Sequence, residues 1–329
     1  MQAPAVRTLT LVAAAALGLA LGASGVATAQ EYPQKPIKLV VPFPAGGAVD
    51  IVGRVVAEQL HKSLGQPVLV ENRAGAGGGV GTELVAKAPA DGYTLVVGGN
   101  GALAINKALY GKLSYDPEKD FAPISLLVSG AQVLLVHPSL QVSNLAEFVA
   151  LVRKNPNRYS YGSTGIGAVS HLTMEMFKAR AGLTLAHAPY RGNPQLIVDL
   201  SAGDIQAAFV FVPAALSAVK TGKVKAIAVT GAARNPLAPE LPTVAEAGFP
   251  GFEASAWMGL LAPSGTPAAI VQKLAAESRR IMRVPDVVNT FAVQGFDVVG
   301  GSPEEFRDFL RDEIVKWSAE VQRSGAKPE

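Results

Sequence analysis

Two stretches of the sequence combine residue types that can hold an anion. The first, VVPFPAGGAVD at residues 40–50, is an apolar run that breaks at two prolines, passes through Gly46 and Gly47, and enters a helical pattern. The second, YGSTGIGAVSHL at residues 161–172, follows the same plan of strand, glycine-containing turn and helix start. A helix start leaves about four N–H groups without intrahelical partners and carries roughly half a positive charge. Gly46, Gly47, Gly165 and Gly167 let backbone approach a bound group closely, and Ser163, Thr164 and Ser170 add hydroxyl donors suited to a carboxylate. Either turn alone reads more simply as a capped strand-to-helix connection, so it is the pair that suggests a clamp. Asp50 falls in a first helical turn, where capping is its expected role. His171 either caps its helix or donates to an anionic ligand, and Arg191, at the turn in HAPYRGN, is a weaker candidate for attracting carboxylates.

Other chemistries fit poorly. GAGGGVG at residues 75–81 has glycines that suggest a dinucleotide loop, but it follows the second strand of its unit instead of the first. Ser217 and Lys220 match S-x-x-K, yet the K-T-G beginning at Lys220 overlaps that same lysine and no S-D-N occurs, so three converging motifs are missing. There is no G-x-S-x-G, and His61, His137, His171 and His187 show no metal-ligand spacing. Neither a metal nor a cofactor is expected. An exported serine hydrolase using Ser163 or Ser170 is the enzymatic alternative, disfavoured because no base and third group can be assigned.

The chain has 329 residues, 49% hydrophobic and 17% charged, a folded composition. Without cysteine it has no disulfide, thiolate metal site or cysteine nucleophile. Its net charge of +3 comes from scattered Lys and Arg with no aromatic-interleaved basic cluster, which argues against nucleic acid. Residues 1–29 read as a secretory signal peptide: Arg7, an uncharged Ala/Leu/Val stretch, then Ala27-Thr28-Ala29 as the cleavage site, with cleavage near Ala29. The mature protein is then expected in the periplasm, where ATP and NAD(P)H chemistry is disfavoured.

The elements that must position the two stretches follow from periodicity. Residues 37–43 read as a buried strand; Ile51, Val52, Val55, Val56 and Leu60 recur at helical spacing before Gly65, and residues 67–72 give a second strand, a βαβ start. The alternation continues, and the chain ends in helices near residues 267–283 and 303–324, the last amphipathic through Phe306, Phe309, Leu310, Ile314 and Trp317. The expected fold is a two-lobed α/β protein, each lobe a mainly parallel sheet flanked by helices. Residues 30–128 and 254–329 form lobe 1, residues 138–250 form lobe 2, and crossovers lie near 129–137 and 251–263. Ligand clefts favour such interfaces.

These stretches, with NRAGAGGGVGTELVAKAPADGYTL, HAPYRG and LPTVAEAGFPGFEASAWMGLLAPSGTP in order, make the chain resemble the Bug or TctC family, the periplasmic solute-binding proteins of tripartite tricarboxylate transporters. The resemblance implies a Venus-flytrap receptor, a monomer and not an enzyme. It would close on a small carboxylate and deliver it to large and small integral membrane subunits; a periplasmic sensor or signalling module is the alternative. Carried over, it places Phe43 against the ligand, with amides of Ala45, Gly46 and Gly47 on one side and Ser163, Thr164, Gly165 and Ser170 on the other. The chain has Val210 where relatives often carry an acid before the helix-starting proline, and Phe211 adds an aromatic wall. An apolar or aromatic, amine-free carboxylate is therefore the expected ligand.

Overall fold

The computed structural model describes residues 32–324; the expected signal peptide lies outside them. In chain order the first half builds β1 (Ile37–Val41), α1 (Ala48–Leu64), β2 (Val68–Asn72), α2 (Gly79–Ala86), β3 (Thr94–Gly99), α3 (Asn106–Tyr110) and β4 (Phe121–Gly130). Next come β5 (Gln132–Val136), α4 (Leu145–Lys154), β6 (Ser160–Ser163), α5 (Val169–Ala181), β7 (Ala186–Pro189), α6 (Asn193–Ala202), β8 (Ala207–Phe211), α7 (Val212–Val219) and β9 (Lys225–Val229). The chain finishes with β10 (Ala256–Pro263), α8 (Ala268–Ile281), α9 (Pro285–Val293), β11 (Asp297–Val298) and α10 (Pro303–Ser324).

Two sheets result, ordered β11-β4-β10-β3-β1-β2 and β7-β6-β8-β5-β9. Both are mixed, which corrects the expectation of mainly parallel sheets. In the first, β1 runs parallel to β2 and β3, whereas β10 is antiparallel to β3 and β4, and β11 to β4. In the second, β6 is parallel to β7 and β8, whereas β5 is antiparallel to β8 and β9. The reason is the route of the chain. Helical crossovers keep successive strands parallel, but β5 and β10 each enter their sheet directly from the other one, so they begin at the end where their neighbours finish.

The chain passes from the first sheet to the second at Ala131 and returns between Thr230 and Ala256. Thr230 joins the two passages: its N–H donates to the Gln132 carbonyl (2.8 Å), its Oγ1 accepts from the Gln132 N–H (2.9 Å), and that hydroxyl donates to the Ala254 carbonyl (2.6 Å).

Burial explains the elements. Ile37, Leu39, Val40 and Val41 of β1 are fully buried, as a strand covered on both faces must be. On α1, Val52, Val56 and Leu60 recur every four residues and are buried, and the helix ends at Gly65 in the left-handed conformation. The closing helix α10 buries Phe306, Leu310, Trp317 and Val321. It also reaches across to α5, where Arg180 Nη2 donates to Glu320 Oε1 at 2.8 Å. No helix among the described residues is long and apolar enough to cross a membrane.

Candidate functional site

The C-terminal ends of β1, β3, β6, β7 and β8 open onto one cleft of about 870 Å³, within the range of small-molecule sites. Its walls include the segments after β1 (Phe43 to Val49), after β3 (Asn100, Gly101), after β6 (Thr164 to Ser170), after β7 (Arg191 to Pro194) and after β8 (Phe211, Pro213, Ala214). Helices α1, α5, α6 and α7 therefore all start at the cleft, with the positive ends of their dipoles at its wall.

The two glycine loops are fastened in the same way. The helix cap is Gly47 for α1 and Ala168 for α5, so Asp50 and His171 each stand three residues into their helix. Asp50 Oδ2 accepts from the Gly46 N–H at 2.8 Å, and His171 Nδ1 accepts from the Gly167 N–H at 3.2 Å. In both loops the side chain reaches back to the amide just before the cap. That residue has positive φ, +84° at Gly46 and +73° at Gly167, a conformation that favours glycine. The arrangement uses up one amide per loop, and the residues of the helix starts that follow, whose N–H groups lack intrahelical partners, line the cleft.

Asp50 is buried and also accepts from Arg54 Nε (2.9 Å) and Asn72 Nδ2 (2.8 Å), while Asn72 Nδ2 donates to the Phe43 carbonyl (3.0 Å). Burial pushes its pKa up, but the hydrogen bonds from Arg54, Gly46 and Asn72 and the Arg54 charge outweigh it and hold the carboxyl below its usual value. In the second loop, Ser170 Oγ accepts from the Thr164 N–H and pairs with Thr164 Oγ1, both at 3.0 Å. Ser163 Oγ lies 2.7 Å from His187 Nε2, and His187 is stacked between Tyr161 and His171, with ring centroids 4.9 and 4.2 Å away.

These positions sort the sequence candidates. Phe43, Ala45, Gly46, Gly47, Thr164, Gly165, Ser170 and Phe211 line the cleft; Asp50 and Ser163 do not. Asp50 caps and braces, as a first-turn carboxylate does. The Gly46 amide, expected to meet the ligand, donates instead to Asp50 within its own loop. Ser163 is fully buried and its hydroxyl serves His187 and the Gly165 turn. Ser163 and His187 have the spacing of a nucleophile and base, but the hydroxyl has no access to solvent. Val210 is also displaced from its expected role: it is buried among Val133, Leu135, Leu196 and Leu200, because alternate residues of β8 face opposite sides. Only Phe211, at the strand end, reaches the cleft, where its ring packs 5.1 Å from that of Phe296.

Residues not singled out as candidates complete the wall: Asn100, Gln132, Asn193, Trp257, Met258 and Gln294. Asn100 and Trp257 are set from behind by buried Glu313, whose Oε2 accepts from Trp257 Nε1 (2.6 Å), Trp317 Nε1 (2.8 Å) and Asn100 Nδ2 (3.2 Å). Among all lining residues the only ionisable side chain is Arg191. It is exposed, and its guanidinium makes no hydrogen bond or ion pair among the described residues.

His171 gives the fold an acid-sensitive point. Burial foremost, then the neighbouring His187 and Lys178 against the opposing pull of Glu175, lower its pKa to about 4. The unfolded chain takes up a proton near pH 6.5, the native state only near 4. The stability this residue contributes is therefore complete above about pH 6.5 and declines as the pH falls toward 4. Denaturant unfolding between about pH 7.5 and 4.5 is expected to show a loss of roughly 2.5 kcal/mol that disappears in His171→Gln. An equal acid limb in both proteins would remove His171 as its source.

Residues 52–326 match the family described as Tripartite tricarboxylate transporter family receptor. The chain belongs to that family. Among curated relatives, BugT of Bordetella pertussis is 37% identical over 317 residues, 95% of this chain and 97% of the relative. An R. palustris protein solved with adipate superposes on the receptor with a TM-score of 0.82 at 33% identity, covering 91% of this chain and all of that one. MatC from Rhodopseudomonas palustris, solved with malate, gives 0.79 at 34% identity, covering 88% of the receptor and 100% of MatC. The two-lobed α/β fold of the receptor is shared with both.

Proposed function

We propose that the receptor captures a carboxylate in this cleft, in the periplasm, and hands it to the large and small integral membrane subunits of its transporter without chemical change. The observation that carries the ligand class is electrostatic: four helix N-termini and one unpaired cation, Arg191, face a cleft whose lining holds no carboxylate side chain. A negative charge gains from every one of these groups. An ammonium finds no ionic partner among the lining residues, so the ligand is amine-free; the support for this lies in the lining and not in Val210. Phe43, Phe211, Trp257 and Met258 supply apolar wall for the ligand body. The adipate and malate held by the two solved relatives fit the same class. A non-enzymatic role agrees with the burial of Ser163, the serine of the Ser163–His187 pair.

The test is calorimetry of the receptor against aliphatic and aromatic mono-, di- and tricarboxylates, their methyl esters, and amino acids. One acid class is expected to bind while its esters do not, and Arg191→Met is expected to weaken that acid roughly 10- to 100-fold. Esters binding as tightly as acids, or aspartate or glutamate binding more tightly than every amine-free acid, would overturn the reading.

A further inference from the structure

Gln132 stands where the two lobes join. It is the first residue of β5, immediately after the passage at Ala131, and it lies directly across the ladder from Phe211 on the cleft wall. Its backbone is fully engaged with Thr230 of the return passage, N–H to Oγ1 and carbonyl to N–H. Its side chain is only 2% exposed, lines the cleft, and makes no hydrogen bond among the described residues; its Oε1 is buried without a partner.

Buried side-chain amides in folded proteins are hydrogen-bonded in the large majority, because leaving one unpaired forfeits its hydration with nothing in return. The other buried polar residues of this wall, Asn100 and Ser170, follow that rule. Asn100 donates to Ser255 and Glu313 and accepts from Trp257, and Thr164 pairs with Ser170. Gln132 is the exception, and it sits on the cleft between the two connections that must flex if the lobes open. The unpaired atom is the amide oxygen, an acceptor, so it asks for a neutral donor. A hydroxyl supplies one. A second carboxylate can only accept, and the charge-seeking groups of the cleft are elsewhere, at the helix starts and Arg191.

We propose that Gln132 is a specificity residue that reads a hydroxyl group on the carboxylate ligand, and that this bond favours the closed arrangement of the lobes. The proposal rests on the carboxylate reading above and narrows it: the preferred substrate is a hydroxylated carboxylate. The same unpaired amide makes closure without ligand unfavourable, so the hydroxyl supplies a differential interaction of the kind a population shift requires.

Matched pairs of acids differing by one hydroxyl test this, with malate against succinate and 4-hydroxybenzoate against benzoate titrated into the receptor, Gln132→Leu and Gln132→Met. In the unaltered receptor at least one hydroxylated acid is expected to bind about tenfold more tightly than its partner. In either variant that preference is expected to vanish through weaker binding of the hydroxylated acid, with the deoxy acid held within about twofold. A separate signature comes from ligand-free protein: removing the unpaired amide is expected to raise the melting temperature of Gln132→Leu by a few degrees while reducing the further rise on adding the hydroxylated acid. Tight binding of both members of every pair, with equal loss in the variants, would overturn the assignment of Gln132 and leave the carboxylate reading intact. Failure of the whole carboxylate panel to bind the unaltered receptor would overturn both. The pairs are measured first on unaltered protein, so the result does not depend on how well a variant folds.

Discussion

Glu313→Ala is expected to destabilise the receptor by about 4 kcal/mol, lowering its melting temperature by on the order of 8 °C. Glu313 is 5% exposed and takes hydrogen bonds from two indole N–H groups, Trp257 and Trp317, and from the Asn100 amide, with Lys316 as its ionic partner. Alanine would leave both indole donors buried without an acceptor and Asn100 with the Ser255 carbonyl alone, and each unpaired group costs about 1–3 kcal/mol. Glu313→Gln keeps the shape and one carbonyl oxygen, and is expected to lose about half as much. Because Asn100 and Trp257 line the cleft, the alanine variant is also expected to bind its carboxylate more weakly at temperatures where it remains folded. Calorimetric unfolding decides the matter, and a loss below about 1 kcal/mol for Glu313→Ala would show that these donors are satisfied without it.

Asp50→Ala is expected to reduce carboxylate affinity on the order of 100-fold and stability by about 3 kcal/mol. The Asp50 carboxylate is the acceptor shared by the Gly46 amide, Arg54 and Asn72, and Asn72 in turn holds the Phe43 carbonyl. Its removal frees both ends of the loop that carries the α1 start, so the helix-start amides proposed to hold the carboxylate would have to be ordered on binding. Asp50→Asn can still accept from Gly46 but loses the charge that pairs with Arg54, and should fall between alanine and the unaltered protein. Titration of the preferred acid into both variants measures this. Unchanged affinity in Asp50→Ala, with the expected loss of stability, would separate the brace from the binding loop. As the Asp50 carboxyl is held below its ordinary value, its contribution is complete above about pH 4 and is lost as the pH falls further.

Both glycine loops were legible because everything that defines them is consecutive in the chain. Apolar strand, Gly46-Gly47 and the α1 pattern form one run, as do Tyr161 to Leu172. Asp50 as a cap was legible for the same reason. Ser163 was misread because its partner, His187, arrives from β7, twenty-four residues on, and turns the hydroxyl inward. Val210 was misread because position along a strand decides which face a side chain takes, and β8 ends one residue later. Gln132 carried a faint signal as a lone amide at the head of the apolar run QVLLV, but nothing in that run says that its side chain borders a cleft.

The sequence by itself determined the alternation of strands and helices, the two-lobed α/β class and the two helix starts that follow glycine turns. Hydrophobic period and turn chemistry act over a few residues, so they are written where they operate. The tertiary structure alone decided the antiparallel entry of β5 and β10, since an apolar run has no direction until a neighbour is chosen. It alone brought Asn100, Gln132, Arg191 and Trp257 to a common wall and left Arg191 as the one charge among the lining residues. A cleft's chemistry is a sum over side chains from separate segments, and that sum exists only after packing has fixed which end of each strand meets the others.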